Sequence, residues 1–177
     1  MSEDFQNRAR KYLFDLAKAQ DIVLEKRNRT LQTGISPKIA DDMPVLVGIQ
    51  ARRGDKLNDR DGWVPPPKSF FDNVIKYFRA KFKTLYFVVV SEDKKWGRLN
   101  IVGKDVIHST SPEDLLELAL LTLCDHGVVS VGTFSWWAAF LTGGEVVYFR
   151  DHLNPKLWAA KIYDNTQYFL PTWKPMV

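Results

Sequence analysis

A chain of 177 residues with 45% hydrophobic and 13% aromatic side chains can bury one sizeable core, which excludes a disordered tail and favours a single globular unit. A formal charge of +4 without a zinc pattern, recognition helix or aromatic RNA-binding motif sets nucleic acid aside as a partner. One cysteine, Cys124, excludes an internal disulfide and a cysteine-based zinc cluster, and no apolar run approaches the length of a membrane span.

The first 44 residues read as an amphipathic helix and a linker. Phe5, Ala9, Tyr12, Leu13, Leu16 and Val23 fall near helical spacing between Asp4 and Lys26, with charged residues between them. Such a helix either packs on the domain itself or offers a docking face. Asn28 to Pro44, with two prolines, a glycine and few large apolar residues, suits a linker. Asn28-Arg29-Thr30 within it is an N-glycosylation acceptor pattern.

Residues 45–177 read as the α/β domain. Val45-Leu46-Val47-Gly48-Ile49-Gln50 has the composition of a buried central strand, and it ends abruptly in Ala51-Arg52-Arg53-Gly54-Asp55-Lys56. In open α/β sheets ligands sit at the carboxyl ends of strands, so this strand delivers Arg52 to an anion. A guanidinium is permanently charged and forked, suited to holding a pyrophosphate and offsetting charge on a leaving group. The plainer reading is a surface ion-pair cluster. Leu57 to Lys68, with three consecutive prolines, is a loop. Phe70, Phe71, Val74, Ile75, Tyr77, Phe78 and Phe82 then mark a helix ahead of a strand from Leu85 to Val90. Between Val45 and Lys83 nine Lys or Arg face four Asp or Glu, an excess that a basic cleft for an anionic ligand explains.

Ser91-Glu92-Asp93 follows the second strand and either touches ligand or caps a helix from Asp93 to Gly97. Asp105 to His108 suits a short strand. Ser111-Pro112-Glu113-Asp114 then opens a helix with a hydroxyl cap, a proline at its first position and acids in its first turn. From Leu115 to Cys124 that helix is almost wholly apolar, and Glu117 is its only charge. A buried carboxylate needs donors: a pair of adjacent N–H groups on a ligand fits, as does a nearby arginine or an outlet to solvent. His126 precedes the strand Val128 to Val131 and is read as structural.

Gly132-Thr133-Phe134-Ser135 turns from that strand into an apolar helix ending at Gly143-Gly144. The free N–H groups at its start, with the hydroxyls of Thr133 and Ser135, make an anion site; the plainer reading has Thr133 or Ser135 only as a helix cap. Glu145 to Phe149 is a further strand, Pro155 to Ile162 a helix, and Tyr168 to Trp173 a tail packed across the sheet.

The two stretches Val45–Lys56 and Val128–Gly144, with Ala119–His126, Tyr86–Ser91 and Phe169–Trp173 in matching order, resemble the α-1,2-fucosyltransferases of glycosyltransferase family 11. That family includes the galactoside 2-α-L-fucosyltransferases, whose arginine motif runs H-x-R-R-G-D. The resemblance covers the carboxyl-terminal, donor-binding half of a full-length member. It implies a doubly wound, largely parallel α/β sheet like the Rossmann-like donor domain of a GT-B glycosyltransferase. It implies inverting transfer of L-fucose from GDP-β-L-fucose to the 2-hydroxyl of a β-galactoside, with no cofactor and no metal; the chain has no D-x-D or H-x-x-x-H pattern.

By that resemblance Arg52 binds the β-phosphate and stabilises departing GDP, Arg53 and Asp55 shape the loop or hold Arg52, and Gly132, Thr133, Phe134 and Ser135 bind the diphosphate. Glu117, where members usually have Asp, reads the base. Gln50 replaces the motif histidine and keeps only a neutral contact. Animal members are Golgi membrane proteins; their anchor is not among these residues, so the expectation is a soluble protein or a fragment. A non-catalytic module that binds GDP or a GDP-sugar is the alternative.

Overall fold

In a computed structural model that describes residues 3–22, 24 and 44–177, the chain folds as a six-stranded, wholly parallel sheet with helices on both faces. The linker and Asn28 lie outside the described residues.

The elements alternate along the chain. Helix α1 (Glu3–Ala19) comes first, followed by β1 (Val45–Gln50) and a short 3-10 turn over Gly54–Lys56. Then come α2 (Lys68–Lys81), β2 (Leu85–Val90), α3 (Lys94–Asn100), β3 (Val106–His108) and α4 (Asp114–Thr122). The series closes with β4 (His126–Val129), α5 (Thr133–Thr142), β5 (Val146–Phe149), α6 (Ala159–Ile162), α7 (Asn165–Tyr168) and β6 (Lys174–Met176).

The strand order is β3-β2-β1-β4-β5-β6. The chain winds outward in one direction from β1 to β3, then returns to the centre and winds the other way from β4. The reversal falls between β1 and β4, where Val47, Gly48 and Ile49 pair with His126, Gly127 and Val128. At that switch point the connections leave in opposite directions and open a crevice at the carboxyl edge.

Period-two alternation sends β1 side chains to two separate cores. Val45, Val47 and Ile49 meet Phe70, Phe71, Val74 and Phe78 of α2 on one face, and the four α2 residues are fully buried. Leu46 packs on the other face with Val88, Leu120 and Leu121, together with Ala9, Leu13 and Leu16 of α1. Helix α1 therefore lies on the same layer as α4.

Several local expectations are corrected. Helix α4 begins at Asp114 rather than at Pro112. The Ser111 hydroxyl accepts the Glu113 N–H in a tight turn ahead of the helix, and Glu113 occupies the cap position without capping, its carboxylate accepting from Arg8 instead. Asp93 does cap α3, accepting the Trp96 N–H at 2.9 Å, and the helix extends to Asn100. Only the last part of Pro155–Ile162 is helical. Lys174–Met176 forms an edge strand that periodicity misses, because three residues carry no period; Pro175 is tolerated where one side of the strand has no partner. Gly143 stops α5 in the left-handed conformation as expected, at φ 69°.

Candidate functional site

The arginine motif leaves the sheet at the switch point. Ala51 continues the ladder by donating to the Val90 carbonyl at 2.7 Å, and Arg52 is the first residue beyond it. Its backbone N–H donates to Ser130 Oγ at 3.2 Å, across the crevice from the end of β4. The Ser130 hydroxyl, wholly buried, donates to Gln50 Oε1 at 2.8 Å, and Gln50 Nε2 donates to Glu92 Oε1 at 3.2 Å. Three neighbouring strands are thus tied by one relay, Glu92 to Gln50 to Ser130 to the Arg52 backbone. Both ends of the Gln50 amide are engaged, so its orientation is fixed by its partners.

The Arg52 guanidinium lies between carboxylates. Nε and Nη2 donate to the two oxygens of Asp55 at 3.1 and 3.0 Å, and Glu92 Oε1 lies 3.7 Å from Nε. Hydrogen bonds to Asp55 raise the Arg52 pKa above its usual value against the opposing effect of burial, with Glu92 and Asp114 adding charge. The same bonds hold Asp55 below the usual carboxylate range.

Nη1 is left on the side of Gly132. A Cβ placed on Gly132 would come within 3.9 Å of Nη1 and 3.8 Å of Cδ. Gly132 has φ 87° and ψ 168°, a region open essentially to glycine alone, and it is the cap residue of α5 without a side-chain cap bond. The first N–H groups of α5 are consequently uncapped beside a guanidinium nitrogen. Helix dipole and arginine charge favour an anion at the same spot.

The remaining sequence-selected residues divide. Thr133 is exposed at the first position of α5, with its hydroxyl toward no partner among the described residues. Ser135 is fully buried, and its hydroxyl donates to the Val131 and Gly132 carbonyls; it caps nothing and holds the turn. Phe134 is half-buried and packs against the core that contains Leu120 and Ala138. Glu117 is buried as expected, and its partner is Lys94 at the start of α3. Arg53 turns away from Arg52: its guanidinium lies 4.1 Å over the Trp96 ring and donates to the Pro66 carbonyl at 3.0 Å, pinning the loop that follows the motif. That loop is itself folded by Asp59, whose Oδ1 accepts the N–H groups of Asp61, Gly62 and Trp63. His126 Nδ1 accepts the Glu145 N–H at 3.0 Å, a structural use.

Ser130 escapes a reading by motif, and Glu92 belongs to the triplet that the sequence offers either to ligand or to a helix cap. The strand expected over Val128 to Val131 instead runs from His126 to Val129, so Ser130 directly follows it, where only the pairing of β4 with β1 reveals its neighbours. Glu92 follows β2, and the register of β2 on β1, which aligns Val90 with Gln50, brings it to the crevice. The basic excess between Val45 and Lys83 does not converge on one cleft. Arg52, Arg53 and Lys56 lie at the carboxyl edge, whereas Arg79, Lys81 and Lys83 lie at the other end of α2, about 20 Å away by helical rise. Among the described residues no group of three or more His, Cys, Asp or Glu side chains is arranged to hold a metal ion, and no helix is long and apolar enough to cross a membrane.

The family model for glycosyl transferase family 11 matches residues 6–176. Among curated proteins, the chain is 32% identical over 157 residues to galactoside alpha-(1,2)-fucosyltransferase 1 of Bos taurus, covering 84% of this chain and 44% of that protein. It is 35% identical over 136 residues to galactoside alpha-(1,2)-fucosyltransferase 1 of Mus musculus, covering 72% and 36%. To galactoside alpha-(1,2)-fucosyltransferase 2 of Sus scrofa it is 33% identical over 135 residues, covering 72% and 40%. The chain thus spans less than half the length of these relatives. No solved structure matches it significantly.

Proposed function

The chain belongs to glycosyl transferase family 11, and from that premise we propose that residues 45–177 form the GDP-L-fucose-binding half of an α-1,2-fucosyltransferase. The observation that carries the proposal is the placement of Arg52 Nη1 beside Gly132 and the uncapped start of α5, at the switch point of a doubly wound sheet. The donor diphosphate lies there, its charge met by Arg52, by the α5 N–H groups and by the Thr133 hydroxyl.

In the reaction the 2-hydroxyl of a β-galactoside attacks the anomeric carbon of fucose from the face opposite the diphosphate. The new C–O bond forms as the bond to the β-phosphate oxygen breaks, GDP leaves with the electron pair, and the hydroxyl proton passes to a base or to water. The anomeric centre is inverted. Negative charge grows on the β-phosphate as the bond breaks, so a fixed cation and helix dipole there lower the barrier without reorganising. Asp55 holds the planar guanidinium in its aim through two hydrogen bonds, and the diphosphate competes for its donors. Glu117 reads guanine only if Lys94 yields or both groups share the base edge. The setting of the full enzyme, by family resemblance, is the Golgi membrane, with a glycan as acceptor.

A second reading, a GDP or GDP-sugar binding module without turnover, is favoured by the state of Gln50. Its amide is locked between Ser130 and Glu92 and carries no charge where the resembling motif has histidine. Calorimetric titration with GDP, GDP-L-fucose and GDP-mannose, followed by a transfer assay with a β-galactoside, separates the two. Binding with fucose transfer supports the enzyme, and binding without transfer supports the module. Absence of any guanine-nucleotide binding refutes both.

A further inference from the structure

The cations that do not join the crevice have a place of their own. At the amino edge of the sheet, the end of α2 meets the start of β2 and the turn into β3. There Arg79, Phe82, Lys83, Tyr86, Lys104 and Asp105 line an open cavity of about 550 Å³. That size is ordinary for small-ligand sites and the opposite edge from Arg52 makes it separate from the donor crevice.

The cavity is built rather than incidental. Arg79 donates from Nε and Nη2 to the two oxygens of Asp105 at 2.8 and 2.6 Å, which consumes the one carboxylate on its wall. A Cβ on Gly103 would fall 2.5 Å from both Arg79 Nη2 and Asp105 Oδ1, so a glycine is what lets this pair close. Lys83 and Lys104 form no salt bridge among the described residues; the charge of Lys104 helps to hold Asp105 below its usual pKa, and with Arg79, Lys83 and Lys104 set against Asp105 alone the lining keeps an excess of positive charge. Phe82 is held from behind by stacking on His126, with ring centroids 4.9 Å apart, and Tyr86 and Thr84 bring a second ring and hydroxyl groups.

The geometry points to a second binding site for a ring-bearing polyanion, a sulfated or phosphorylated saccharide. Lys83 and Lys104 meet the charged groups, while Phe82, packed on the α2 side of the sheet, and Tyr86, packed on the α1 side, offer apolar surface to the sugar ring from two walls of the cavity. A cavity of this size with two lysines and two aromatic side chains on its walls fits a small ring better than it fits a long duplex, which would need an extended basic stripe.

The test is calorimetric titration of the 177-residue chain at low salt with sucrose octasulfate, glucose 1,6-bisphosphate and inorganic sulfate. Saturable binding of at least one sugar anion, about tenfold or more tighter than sulfate and weakening as salt rises, is expected. Comparison of the first two ligands distinguishes sulfate from phosphate carriers. The Lys83→Glu/Lys104→Glu variant, which alters two exposed side chains, loses at least about tenfold in that affinity while its GDP titration is unchanged; Arg52→Ala does the reverse. Tyr86→Leu weakens the sugar anion more than it weakens sulfate. Equal sugar-anion affinity in the double variant, affinity no better than sulfate, or binding confined to duplex DNA or phosphatidylserine vesicles overturns the proposal.

Discussion

Replacing Ser130 by alanine tests the relay that carries Arg52 to the crevice. The hydroxyl is wholly buried, donates to Gln50 Oε1 at 2.8 Å and accepts the Arg52 N–H at 3.2 Å. Alanine leaves both partners without the bond, and each stranded buried group costs about 1–3 kcal/mol. The longer bond to Arg52 and its location at the crevice place its share at the low end, since water can replace it there. Together they give about 2–4 kcal/mol. For a chain of this size that corresponds to a fall in melting temperature of about 4–16 °C. Urea unfolding, with the slope unchanged and the midpoint reduced, measures the loss directly. GDP affinity measured on the folded variant should drop as well, because the Arg52 backbone is no longer held to β4. A stability loss below about 0.5 kcal/mol, with GDP binding intact, would refute the view that this hydroxyl positions the arginine.

Other consequences are equally open to measurement. Arg52→Lys should lose most of its GDP affinity despite keeping the charge, because an ammonium cannot present a planar fork to Asp55 and a phosphate together; near-normal titration would remove Arg52 from the site. Gly132→Ala forces a residue with a Cβ into φ 87° beside Arg52 and should cost about 1–3 kcal/mol, along with nucleotide binding; a melting temperature equal to the parent's would contradict this. Burial holds His108 and His152 below the usual histidine pKa, so the unfolded chain takes up protons that the folded chain refuses. Stability is therefore full above about pH 6.5 and falls as pH drops below it, ahead of the acid range in which Asp105, held low by its bonds to Arg79, is protonated. Urea midpoints that stay level between pH 7.5 and 5.5 would count against that linkage.

The sequence alone determined the fold class and the motif at its centre. An apolar run ending in Arg52 and a strand, glycine turn and apolar helix around Gly132 are local patterns whose physics is local: burial selects the strand, loss of apolar character marks its end, and positive φ demands glycine. Their common location at one edge also follows, since parallel strands joined by helices all end on the same side. Partnerships were decided only by the tertiary structure. Nothing adjacent in sequence tells Glu117 that Lys94 is its partner, or Ser135 that its hydroxyl will turn back to carbonyls rather than cap α5. Ser130 looks like one polar residue in an apolar strand until the β1–β4 register sets it between Gln50 and Arg52. The basic run from Val45 to Lys83 shows the same limit most plainly. Sequence counts its charges as one group, but α2 is rigid and carries three of the nine basic residues, Arg79, Lys81 and Lys83, to the opposite edge of the sheet, because a helix returning between parallel strands must span the sheet's full depth.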